Sequence, residues 1–294
     1  MNSLNKPITE IIRQRFSCRT YLRREYSLSP IAADKRQRLE SMIASLRAGP
    51  LGTSLRFALV AATEQDTSSL KGLGTYGFIK GASGFIVGAM RSAKKDLEDY
   101  GYGMEQIILL ATDLELGTCW LGGFFTRSSF ARKIVATRDE QVPAVTAIGE
   151  IADPGQARDT LLRRRIGADR RLPWEKLFFQ GGFGVPLTPE GAGIYAAPLD
   201  MVRLGPSASN RQPWRIVQDG NAWHFYLQRT RGYPGGLATR LMRIADIQRV
   251  DMGIAMCHFE LTARALGLNG TWTVREPAIA KPDALTEYTL SWVS

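Results

Sequence analysis

Apolar positions along the chain fall into alternating helical and strand-like stretches. Ile8, Ile11, Ile12 and Phe16 recur at helical spacing behind Pro7, which suits a first turn, and predict a helix over 7–16. Leu39, Met42, Ile43 and Leu46 predict a second over 35–48. Met104, Ile107, Ile108, Ala111 and Leu114 mark a long buried helix over 97–116. The short apolar runs RFALVAA (56–62), FIVGAM (85–90) and AVTAIGEI (144–151) read as strands. A Gly/Pro-rich stretch, GGFGVPLTPEGAG (181–193), reads as a flexible linker.

Beyond that stretch the pattern begins again. DYGYGMEQIILLATDLELGTCW (99–120) aligns without a gap on DMGIAMCHFELTARALGLNGTW (251–272). The shared residues are Asp99/Asp251, Gly101/Gly253, Met104/Met256, Leu109/Leu261, Ala111/Ala263, Leu114/Leu266, Leu116/Leu268 and Trp120/Trp272. Helical patterning accounts for the leucines, but not for Asp, Gly and Trp at matching places. RAGPLGTSLRFALV (47–60) likewise parallels RLGPSASNRQPWRIV (203–217) through Arg, Gly and Pro. These matches predict an internal duplication, with one half over 1–180 and the other over 181–294.

The chain has 294 residues, 44% apolar and 22% charged, as expected of a globular protein with a large core. No apolar run reaches the roughly 18 residues that a membrane helix requires. The N-terminal segment has no apolar signal core, so the expectation is a cytoplasmic protein without a membrane partner. Cys18, Cys119 and Cys257 are an odd number without close pairing, which disfavours a disulfide framework or a zinc site. His224 and His258 are the only imidazoles and read as structural or surface groups. The net charge of +10 raises nucleic-acid binding. The charges are scattered except in RRRIGADRR (163–171), and no helix-turn-helix or zinc-finger spacing is present, so a site for an anionic ligand is the favoured reading.

Two motifs bear on chemistry. GLGTYG (72–77) has the G-x-G-x-x-G spacing, but QDTSSLK precedes it where a dinucleotide fingerprint requires a strand, so it reads as a loop. In RQRFSCRTY (13–21), Arg15, Ser17 and Arg19 alternate. In an extended segment they face the same way, as a receptor for a phosphate and a hydroxylated chain. Their spacing fits a solvated basic helix end equally well. Cys18 within this string reads as a reactive thiol or, preferably, a small filler.

RFSCRTY, LGTCWLGGF (116–124) and GPSASNRQPW together resemble the signature segments of the FMN-dependent nitroreductase family. VPAVTAIGEIADP (142–154) and DRRLPWEKLFF (169–179) are similar to its late core strand and its C-terminal basic segment. The resemblance implies an α+β fold, a three-layer α-β-α sandwich. It also implies FMN as cofactor, NAD(P)H as electron donor, and a small-molecule acceptor such as a nitroaromatic or quinone. By the same resemblance Arg15 and Ser17 bind the FMN phosphate and ribityl chain, and Arg19 lies at the pyrimidine edge. Gly122 and Gly123 bring backbone N–H groups to flavin N5, and Arg171 is a second phosphate ligand. Pro206, Ser207, Ala208 and Asn210 line the ring, while Gln212, Pro213 and Trp214 brace their loop. No side-chain acid or base is identifiable.

The family is ordinarily a dimer whose subunits exchange these segments. Here the Arg-x-Ser-x-Arg string stands only in the first half and the Pro-Ser-x-x-Asn string only in the second. The departure implies a fused pseudodimer with one FMN site, functional as a monomer. A flavin carrier or sensor without turnover is the alternative, and a basic nucleic-acid-binding protein a more distant one.

Overall fold

A computed structural model describes residues 4–24, 27–63, 68–123, 125–151, 167–232 and 245–294. After helix α1 (Ile8–Gln14), a hairpin of β1 (Arg23–Arg24) and β2 (Ser27–Leu28) and helix α2 (Ala33–Ser45), the first sheet begins. It contains β3 (Leu55–Ala61), β4 (Gly84–Arg91), β5 (Leu116–Leu121), β6 (Glu140–Gln141) and β7 (Val145–Glu150). Its order is β3-β4-β7-β5, antiparallel throughout, with β6 on the end of β4. Helix α3 (Asp96–Asp113) connects β4 to β5, and α4 (Arg127–Lys133) follows β5. Residues of α2 and α3 pack on one face of this sheet, and Phe125 and Phe130 pack on the other with Phe85 and Val87.

The second sheet starts with β8 (Phe178–Gln180), parallel to β9 (Trp214–Asp219). After the short helix α5 (Pro189–Ala192), α6 (Ala196–Arg203) and β9 come β10 (Ala222–Gln228), helix α7 (Ile247–Ala265), β11 (Thr271–Thr273) and β12 (Thr286–Val293). The order is β11-β12-β10-β9-β8. Two antiparallel strands, a long helix, an edge strand and an inserted strand thus occur in both halves: β3-β4-α3-β5-β7 and β9-β10-α7-β11-β12. The repeat read from sequence is therefore a repeat of topology. One face of the second sheet, through Trp214, Phe225 and Trp292, packs on α7 and α6. Fully burying each such side chain contributes on the order of 1.5–3 kcal/mol.

Helices α3 and α7 run side by side between the two halves. Both are buried nearly all round, which explains why their apolar residues exceed a single stripe. Arg249 of α7 closes the start of this contact with ion pairs to Asp96 (3.0 Å) and Glu98 (2.6 Å) of α3. Helix α1 packs across the boundary: Ile8, Ile11 and Ile12 lie in the same apolar cluster as Leu199, Val202 and Phe259.

Several boundaries differ from expectation. The helix predicted to run to residue 16 stops at Gln14, because Arg15 is already extended (φ −60°, ψ 130°). The Gly/Pro-rich stretch is not a free linker. Gln180 and Leu187 N–H groups close a turn onto Val185 and Phe178 carbonyls, Leu187 is buried, and Thr188 caps α5. β8 already belongs to the second sheet, so the topological boundary falls before residue 178 rather than at 181. GLGTYG lies in turns, as expected. Residues 152–154 and 163–166 of the two quoted segments, and Phe124, lie outside the described residues.

Candidate functional site

The N-terminal string is laid along the outer edge of β5. The Asp113 carboxylate at the end of α3 accepts the backbone N–H groups of Asn5 (2.8 Å) and Lys6 (3.0 Å), which fixes the entry to α1. Once α1 ends, Ser17 forms a parallel bridge with Thr118, and the Cys18 N–H donates to the Thr118 carbonyl (2.8 Å). Arg15, Ser17 and Arg19 therefore stand on an extended segment, the one of the two readings in which alternate residues share a side, rather than on a basic helix end. Cys18 faces the other way, into the core, where its Sγ donates to the Thr20 carbonyl and a Cβ on Gly117 would meet it. This is the filler reading. All three cysteines are buried, and none is in a disulfide.

The arginines of this segment are only partly solvated. The Arg15 side chain is 5% exposed and directs Nε at Glu105 Oε1, 3.8 Å away. Arg19 Nη1 is buried with no hydrogen-bond partner among the described residues. A buried guanidinium donor left unmatched is costly, so a ligand acceptor at that place would be strongly favoured. β5 leads directly into Gly122 and Gly123. Gly122 is held under Ile247 of α7, whose side chain would stand 2.9 Å from a Cβ there, whereas the space around Gly123 is open.

The second-half loop is held from several sides. Asp251, one turn along α7 from Ile247, accepts the Ala208 N–H on its carboxylate (3.1 and 3.2 Å). Burial pushes the Asp251 carboxyl well above its ordinary range. Ser209, Asn210 and Gln212 all have positive φ (50°, 54° and 50°), a conformation disfavoured for residues other than glycine. Hydrogen bonds hold this strained turn. Ser207 Oγ accepts the Gln212 N–H (2.8 Å), and Gln212 Oε1 accepts the Leu172 N–H (2.8 Å). Asn210 Nδ2 donates to the carbonyls of Gly167 (2.6 Å) and Arg170 (2.9 Å).

Two clusters result. Arg15, Ser17, Arg19, Gly122 and Gly123 form one, on the first half. Pro206, Ser207, Ala208, Asn210 and Arg171 form the other, on the second. The first turns of α7 join them, through Ile247 against Gly122 and Asp251 against Ala208. Arg171 is placed with the loop rather than with Arg15. It donates to the carbonyls of Ala168 (2.8 Å), Arg170 (2.9 Å) and Leu204 (3.1 Å), and to Asn210 Oδ1 (3.5 Å). Gln212 braces the loop as expected, and Asn210 does so too.

Three residues beside Arg15, namely Glu105, Trp120 and His258, were not read from the sequence as belonging to the site. Glu105, fully buried on α3, accepts Trp120 Nε1–H on Oε2 (2.8 Å) and faces His258 Nε2 across 3.0 Å with Oε1. The signal was present: a glutamate inside the apolar run of α3 must find partners if it is buried. Among the described residues no cluster of His, Cys, Asp and Glu could hold a metal ion, and no helix is long and apolar enough to cross a membrane.

A family model described as "Putative TM nitroreductase" matches residues 7–263. Among solved structures, a putative nitroreductase from Thermotoga maritima MSB8 is similar over 100% of this chain and 96% of its own, with a TM-score of 0.58 and 20% identity. A putative nitroreductase in complex with FMN from Exiguobacterium sibiricum matches 53% of this chain and 93% of its own (TM-score 0.39, 16% identity). Another in complex with FMN, from Desulfovibrio desulfuricans, matches 54% and 95% (TM-score 0.40, 21% identity). No curated protein matches the chain.

Proposed function

The chain belongs to the "Putative TM nitroreductase" family, and from that premise we propose that it is an FMN-dependent oxidoreductase. It takes reducing equivalents from NAD(P)H and passes them to a small-molecule acceptor such as a nitroaromatic or quinone. When bound, FMN supplies the hydride chemistry, and the protein supplies position and electrostatics. The observation that carries this reading is the alignment of Arg15, Ser17 and Arg19 on one extended segment beside β5, the strand that leads into Gly122-Gly123, with a buried Arg19 donor unmatched among the described residues.

In this reading Arg15 and Ser17 bind the phosphate and ribityl chain. Arg19 sets positive charge at the pyrimidine edge, where it favours the reduced form. Gly122 and Gly123 present backbone N–H groups without a side chain in the way. Pro206, Ser207 and Ala208 line the ring from the second half, and Asn210 and Arg171 keep that loop in its strained form. The chain acts as a pseudodimer with one site, and its three cysteines, none in a disulfide, fit the reducing cytoplasm.

The purified protein should show the absorption of oxidised flavin, bleached anaerobically by NADH or NADPH. Arg15→Ala should weaken FMN binding roughly 10- to 150-fold, since a charge-assisted hydrogen bond contributes about 1.5–3 kcal/mol. Unchanged FMN affinity in a folded Arg15→Ala protein removes Arg15 from the site. Flavin that binds but is reduced by neither nucleotide identifies a carrier instead.

A further inference from the structure

Helix α7 starts where the two clusters join, and its first turns are held on two faces. Ile247 and Asp251 are four residues apart and so share one face. Ile247 lies over Gly122 of the first half, and Asp251 accepts the Ala208 N–H of the second-half loop. Arg249 stands two residues from each, roughly 200° round the helix. It is fastened to α3. Its Nε and Nη2 donate to Glu98 Oε1 (3.0 Å) and Oε2 (2.6 Å), and Nη2 also reaches Asp96 Oδ1 (3.0 Å) and the Lys94 carbonyl (3.2 Å). The second half holds the same turn from its own side. Arg229, just after β10, pairs with Asp246 (2.6 Å), and Gln248 Nε2 donates to Thr230 Oγ1 (2.9 Å).

We propose that Arg249 is a positioning residue for the FMN site: its two-pronged hold on Glu98 fixes the first turns of α7, and with them the spacing between Gly122 on the first half and the Ala208 loop on the second. The inference rests on the reading of these two places as two sides of the flavin. A planar guanidinium bonded to both oxygens of one carboxylate sets orientation as well as attraction. Glu98 is 2% exposed, so loss of the guanidinium strands a buried carboxylate. A shift of α7 carries Ile247 and Asp251 with it, and the strained Ser207–Gln212 turn hangs on Asp251 through Ala208. The hydrogen bonds of the Arg249 side chain run to α3 and the residues that lead into it. Arg249 therefore acts through α7 and not by contact with the flavin.

The test is a double-mutant cycle read by flavin affinity. FMN and riboflavin, which lacks only the phosphate, are titrated by fluorescence into the flavin-free full chain. Wild type, Arg249→Gln, Glu98→Gln and the double variant are compared. Arg249→Gln should weaken both flavins by roughly tenfold, as when the competent arrangement falls to about a tenth of the population. The loss should be equal for the two, because the phosphate side is untouched. Glu98→Gln should lose affinity in the same direction. The double variant should lose no more than Arg249→Gln alone, because both changes break one contact. A merely structural role would lower the urea midpoint and leave the affinity of the folded variants unchanged, and that result overturns the inference. So does a loss confined to FMN, which would make Arg249 a phosphate ligand, or a double variant that loses the sum of the two single losses. Should Arg249→Gln not fold, Arg249→Lys keeps the charge without the fork. It should lose affinity for both flavins, and wild-type affinity in that variant overturns the inference. A wild type that binds neither flavin instead overturns the flavin reading itself, and the inference with it.

Discussion

Gly101 and Gly253, matched in the two halves of the sequence, meet where α3 packs on α7. A Cβ on Gly253 would stand 2.7 Å from the Tyr102 amide nitrogen, and one on Gly101 would stand 3.2 Å from Gly253 Cα. The neighbours are backbone atoms, which cannot move aside as a flexible side chain can. Gly253→Ala should therefore destabilise the fold by about 1–3 kcal/mol or more through overpacking. Gly123→Ala meets nothing within 4 Å and should leave stability unchanged. Urea denaturation of the two variants checks this, and equal stability of both would refute the close contact.

Asp99 and Asp251 extend the same correspondence. Each receives backbone N–H groups from the Gly-Pro loop of its own half: Leu51 (2.9 Å) and Thr53 (2.8 Å) on Asp99, and Ala208 on Asp251. Replacing either by Ala strands buried donors and should cost about 1–3 kcal/mol. Only Asp251→Ala should also weaken flavin binding, because only the second loop is placed at the proposed site. Denaturation midpoints paired with FMN titrations separate the two effects. A larger flavin loss in Asp99→Ala would move the site to the other loop.

These pairs show what the sequence disclosed and why. The Asp, Gly and Trp repeats were legible because a close helix contact and a buried acceptor each tolerate very few residue types. The strand order was not, since nothing local in β5 says that β7 rather than β4 will lie beside it. β11 and β8, three residues each, are too short for periodicity to register. In the site, the alternation of Arg15, Ser17 and Arg19 left an extended segment and a basic helix end equally open, and the halt of α1 at Gln14 decides between them. The engagement of Arg171 with Leu204 and Asn210 did not show, because it depends on how the chain returns after residue 166. Glu105 and His258, 153 positions apart, are joined only by the packing of α3 on α7.

An ion pair away from the site gives a clear pH signature. Arg56 on β3 binds Glu140 on β6 through two hydrogen bonds, Nε to Oε1 (2.6 Å) and Nη2 to Oε2 (2.7 Å). The Arg56 guanidinium holds the Glu140 carboxyl down at about 2, from an ordinary value of 4.5. Because the folded value is depressed, the stabilisation is complete above the ordinary value. It is lost progressively as pH falls from about 4.5 to about 2. Melting temperatures across that window should fall less steeply for Glu140→Gln than for the parent protein. Parallel curves would show that the pair contributes nothing.

The two edge strands bear on stoichiometry. β5 and β11 hold equivalent places, each at the end of its sheet and each following the long central helix. Along the outer edge of β5 lies the segment carrying Arg15, Ser17 and Arg19, bridged at Ser17–Thr118. Among the described residues no such segment lies along the outer edge of β11. The loops differ in the opposite sense: the strained Ser207–Gln212 turn belongs to the second half, and the first has Leu51, Gly52 and Thr53 in its place. In the reading proposed above, one phosphate side and one ring side then belong to a single chain and are joined at the first turns of α7, through Ile247 beside Gly122 and Asp251 beside Ala208. A partner tethered in the same chain is present at an effective concentration that a separate subunit seldom reaches. The expected result is one FMN per chain, bound by a monomer. Flavin absorbance after release by heat, set against protein concentration, measures the ratio, and light scattering gives the assembly. Two FMN per chain, or binding confined to a dimer that exchanges these loops, would overturn the one-site reading, which places its phosphate side on β5 and finds no matching segment on β11 among the described residues.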